Sequence, residues 1–71
     1  MRVIIRTTSH LAWSTEVDAP EGDAARRIWR DIDQGTPVRA SVAESGDEAV
    51  PGPVWLVFNP AQVLFCQEQP G

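Results

Sequence analysis

Histidine and cysteine each occur once in this 71-residue chain, and lysine and tyrosine do not occur at all. One cysteine rules out a disulfide within the chain. One Cys with one His leaves too few soft ligands for a structural zinc, so neither of the usual staples of small domains is at hand and no metal or other cofactor is expected. No apolar run approaches the roughly 18 residues of a membrane span. The stretch after Met1, Arg2-Val3-Ile4-Ile5-Arg6, is broken by charge and falls short of the ~7 to 15 apolar residues of a signal-peptide core, which predicts a cytoplasmic protein with no membrane partner and a reduced Cys66. The glycines Gly22, Gly35, Gly46, Gly52 and Gly71 are isolated from one another, so no phosphate-cradling loop is encoded.

What is present is a foldable apolar content. Hydrophobic residues make up 42% of the chain with three Trp and two Phe, too rich for a disordered polymer, while 23% charge is ordinary for a soluble one. The length fits a single domain spanning 1–71, and a domain of this size buries only about 60% of its surface. Oligomerisation is the remaining way to compensate. Net charge is −4, from ten carboxylates against six arginines, which opposes non-specific attraction to nucleic acid or anionic membrane.

Five strands and a helix are predicted. Arg2–Thr8 and Leu11–Val17 read as an antiparallel hairpin joined by Ser9 and His10, with Trp13 facing inward. Asp18, Pro20, Glu21 and Asp23 carry helix-start chemistry, with Asp18 and Glu21 spaced as a capping box. Ala25, Ile28, Trp29 and Ile32 then form an i, i+3, i+4, i+7 stripe expected to face the core, before Gly35 and Pro37 end the helix. Val38 to Ala43 alternates as a third strand, and Glu44 to Pro53 combines carboxylates, Gly and Pro as an exposed loop. Val54–Phe58 and Val63–Gln67 predict a final hairpin turned by Asn59-Pro60, followed by a polar tail from Glu68. The fold class is α+β, a small mostly antiparallel sheet in the order β-β-α-β-β-β with one amphipathic helix packed on it.

No residue pattern encodes a reaction. His10 has no Cys or paired carboxylate that the sequence places beside it, and Cys66 follows Val63-Leu64-Phe65 on a strand, where a thiol behaves as a small buried hydrophobe. Catalytic residues are therefore assigned to none, and metal ligands to none. The functional signal is a surplus of apolar strand surface: Trp55, Val57, Phe58, Leu64 and Phe65 exceed what one helix covers, which predicts a non-enzymatic interaction module, homodimeric through the C-terminal apolar hairpin. A protein partner is the class expected. The alternative is a nucleic-acid-associated regulator gripping phosphate through Arg26, Arg27, Arg30 and Arg39, although Trp29 and Trp55 are expected to be buried rather than interleaved with that patch as stacking platforms.

Overall fold

A computed structural model describes residues 1–43 and 54–70. It is an α+β fold: β1 (Arg2–Thr7), β2 (Ala12–Glu16), α1 (Ala24–Asp33), β3 (Val38–Val42), β4 (Val54–Leu56), a turn of 3-10 helix (Pro60–Gln62) and β5 (Val63–Gln69). The five strands form one antiparallel sheet in the spatial order β4-β3-β2-β1-β5, with the helix packed on one face. The predicted loop Glu44 to Pro53 lies outside the described residues. No helix among the described residues is long and apolar enough to cross a membrane.

Alternation along the strands decides what the helix covers. Val3 and Ile5 of β1, Val17 after β2, Val38 and Ala40 of β3 and Val63 of β5 join Ala24, Ile28 and Ile32 of α1 in one buried cluster. Burial of a side chain such as Ile5 or Ile32 contributes about 1.5–3 kcal/mol, so this cluster is the main source of stability. Trp13 sits on the same face, half-buried, and meets Phe58 edge to face at a ring separation of 6.3 Å.

The expected C-terminal hairpin does not form. β4 pairs with β3 and β5 pairs with β1, at opposite edges of the sheet, and residues 57–62 cross between them. The crossing is pinned on the way: Phe58 packs on Trp13, and Thr8 donates from both its amide and its hydroxyl to Gln62. Asn59 accepts from the Ala61 amide, so the Asn-Pro pair makes a turn as expected, but one that opens a 3-10 helix instead of reversing a ladder. Two apolar runs separated by a turn look alike in sequence whether they pair with each other or with separate neighbours.

The β1–β2 connection is a three-residue loop. The Thr7 amide donates to Leu11 carbonyl and the His10 amide to Thr7 carbonyl, and His10 adopts φ 66°, the left-handed position that closes such a loop. The helix stops at Gly35, φ 74°, where the Gly35 amide donates to Ile32 and the Thr36 amide to Asp31.

Candidate interaction surface

The helix begins later than its sequence signals suggest. Gly22 takes φ 95°, which breaks the helical run, so residues from Pro20 form a separate turn and α1 starts after Asp23, whose side chain makes no capping bond. Glu68, far along the chain in β5, supplies the acceptors instead: its two carboxylate oxygens take the amides of Gly22 at 2.7 Å and Ala25 at 3.0 Å. Those two bonds hold its carboxyl below the usual carboxylate range, with Arg26 adding a smaller pull. The predicted capping box of Asp18 and Glu21 is thus replaced by a tertiary cap, and the polar tail expected from Glu68 is part of a strand that clamps the helix start.

That clamp sets the helix alongside the β5 edge. The buried stripe of α1 is Ala24, Ile28 and Ile32, which turns Trp29 onto the helix flank instead of into the core, where the sequence placed it, and leaves it 42% exposed. At 100° per residue Trp29 stands on the β5 side of the stripe and Arg27 and Asp31 on the other. On the β5 side it lines a shallow depression with Gly22, Ala25, Arg26, Leu64, Phe65 and Cys66, although the pairing of Phe65 with Arg6 turns the Phe65 side chain to the sheet face away from the helix. A β-bulge explains the strand's contribution: Arg6 pairs with Phe65 but Thr7 pairs with Val63, so Leu64 is the extra residue and is 61% exposed. Phe65, opposite Arg6, is also exposed.

Trp55 and Val57, grouped with Leu64 and Phe65 in the sequence, belong to the other edge. Trp55 stands opposite Arg39 on the sheet face away from the helix and is 71% exposed, contrary to the expectation that it is buried, and Val57 just beyond the strand is exposed as well. Phe58 turns inward onto Trp13. The five apolar residues singled out in the sequence therefore do not form one surface.

Nor do the four arginines. Arg27 and Arg39 line one open groove of about 600 Å³ where β2 and β3 diverge, together with Glu16, Asp18 and Asp31, and the Arg27 guanidinium donates to the Asp18 carbonyl. Arg26 lies at the β5 side near Glu68, and Arg30 is exposed in the last helical turn. Carboxylates neutralise the groove, which weakens it as a phosphate grip.

Cys66 is half-buried beside this depression, and burial pushes its thiol up to about 11, so at neutral pH it is protonated and a poor nucleophile. His10 is exposed in the loop between β1 and β2. Among the described residues no group of three or more His, Cys, Asp and Glu is placed to hold a metal ion. Compared with known proteins, the chain matches no family model, no curated protein and no solved structure.

Sequence reasoning missed Trp29 and Glu68. The helical wheel carried no signal that excludes Trp29, since Ala25, Trp29 and Ile32 fall within about 60° of one another and Ala24, Ile28 and Ile32 within about 80°. Glu68 had no local signal, because its partners are more than forty residues away.

Proposed function

We propose that this chain is a small non-catalytic binding module that works by protein association, self-association first, through the apolar surface of Trp29, Leu64 and Phe65. The observation that carries this reading is a helix flank set beside an exposed edge strand: Trp29 and Leu64 line one depression, and Phe65, next on β5, is exposed as well. Isolated exposed apolar residues are ordinary on protein surfaces, whereas a joined group across two elements is the pattern of an interaction site. β5 adds an outer edge with no strand paired to it among the described residues, an arrangement that invites another chain.

Nucleic-acid association is the weaker reading. Its four arginines point to different parts of the surface, and the groove that holds two of them holds three acids as well. Sedimentation velocity separates the two. Self-association through the apolar surface predicts a wild-type protein that sediments as a dimer at high concentration and a Leu64→Glu variant that remains monomeric with an unchanged circular dichroism spectrum. A wild type that stays monomeric to about 300 µM defeats the proposal.

A further inference from the structure

We infer that the second copy adds antiparallel to the outer edge of β5 about a two-fold axis at Gln67, joining the two sheets into one with both helices on the same face; this rests on the association proposed above. The ladder shows which backbone groups are available. Met1 and Val17 bond each other through both main-chain groups, so on β1 the odd residues Val3 and Ile5 direct their main chain to β2 and the even residues Arg2, Ile4 and Arg6 direct theirs to β5. The Thr8 amide, next in the even series, bonds the Gln62 carbonyl, as that parity requires. The β5 partners of Arg2, Ile4 and Arg6 are Gln69, Gln67 and Phe65. Cys66 and Glu68, between them, therefore turn their N–H and C=O groups outward, to an edge that no strand occupies among the described residues.

Two features close the pairing window. The bulge at Leu64 ends the regular ladder on one side, and Pro70, which has no N–H, ends it on the other. Between them Phe65 to Gln69 is regular, with Gln67 at its centre and the outward-directed Cys66 and Glu68 placed symmetrically about it. This pattern is its own complement. A two-fold axis through Gln67, perpendicular to the sheet, sets Cys66 against Glu68 of the partner copy, so the outward N–H and C=O of each residue find an acceptor and a donor. Gln67 meets Gln67, an uncharged pair, on the sheet face away from the helix, and Phe65 meets Gln69. An axis at Cys66 instead sets Leu64 against Glu68 at both ends, where the bulged backbone breaks the ladder.

Free edges are commonly kept apart by charged side chains in the pairing zone. This window carries one charge, Glu68, and its carboxylate is turned to the Gly22 and Ala25 amides of its own helix start. The opposite edge offers less, because β4 is only three residues long. At the ends of the window Leu64 and Phe65, 61% and 45% exposed, come against Pro70 and Gln69 of the partner copy, which covers part of the apolar surface that the chain leaves in water. An edge this short buries well under the roughly 800 Å² per partner of a standard interface, so the dimer is weak and readily reversible.

Cross-linking reads the register. Gln67 is exposed, and across the axis the two Gln67 Cα atoms form a non-hydrogen-bonded pair about 4.5 Å apart, inside the range a disulfide spans, whereas the two Gln69 residues stand more than about 13 Å apart. In a Cys66→Ser background, which removes the native thiol, Gln67→Cys treated with glutathione disulfide is expected to become mostly covalent dimer at concentrations where wild type associates. Gln69→Cys in the same background is expected to stay monomeric on a non-reducing gel. Amide exchange on the wild type needs no substitution: the Cys66 and Glu68 amides slow about tenfold when about nine-tenths of the protein is dimeric, while Gln67, whose amide already faces β1, keeps its rate. A Gln67→Cys variant that cross-links no faster than Gln69→Cys, or wild-type dimers whose Cys66 and Glu68 amides exchange as in the monomer, overturn the edge pairing while leaving the association reading intact. A monomeric wild type removes both.

Discussion

The two edges of the sheet both leave large apolar side chains in water, yet they are built differently. At the β4 edge a three-residue strand presents Trp55 on the face away from the helix, with Val57 following it and Phe58 turned back onto Trp13. At the β5 edge a seven-residue strand is clamped to the helix start by Glu68, bulged at Leu64 and flanked by Trp29. Trp55 is the most exposed of these residues, but it stands opposite Arg39 on a three-residue strand. Exposure alone does not make a site. What distinguishes the β5 edge is that two elements, fixed to each other by a buried cluster and a carboxylate cap, hold their apolar side chains side by side.

The strongest way to break this comparison is to exchange the outcomes at its two ends. Leu64→Glu is expected to abolish self-association at concentrations where wild type dimerises. Equal loss from a β4-edge substitution shows that the two edges act together. Next in size is Phe58→Ala, which removes the ring that anchors the crossing segment to Trp13 and lowers unfolding free energy by about 2 kcal/mol, less than a fully buried Phe because Phe58 is half-buried. Chemical denaturation reads that value, and a loss under about 0.5 kcal/mol means the crossing is held elsewhere.

Glu68→Gln sharpens the β5 side. Its folded carboxyl titrates below its ordinary 4.5, so the contribution of the cap is present above pH 4.5 and is lost as pH falls through the lowered folded value. The Gln variant is expected to melt lower at neutral pH and to lose that part of the acid dependence, with faster amide exchange at Gly22 and Ala25. Identical melting curves for both proteins from pH 7 down to about 3 mean that the carboxylate does not cap the helix. The smallest effect belongs to Trp55→Ser: with most of the ring already in solvent, stability changes by less than about 0.5 kcal/mol and dimerisation not at all. A larger change moves the site to the β4 edge.

Much of the fold was legible because its causes are local. Period-two alternation placed β1, β2 and β3, and Gly35 with Pro37 marked the helix end that the backbone bonds confirm. The surplus of apolar residues near the C-terminus was legible too, and Leu64 and Phe65 are exposed. Less could be read where several outcomes share one pattern. Pro20 and the acids around it have helix-start chemistry, but a left-handed Gly22 delays the helix. Trp29 satisfies an i, i+4 spacing from Ala25, but the sheet takes the neighbouring stripe.

By itself the sequence determined the element types, the absence of a disulfide and the α+β class, since these follow from composition, periodicity and turn chemistry within a few residues. Only the tertiary structure decided that the last two strands separate to opposite edges, that Glu68 caps a helix start more than forty residues earlier, and that Trp29 and Leu64 line one depression. Strand pairing and side-chain neighbourhood depend on which distant segments bury one another most completely. That competition is settled by the whole chain at once.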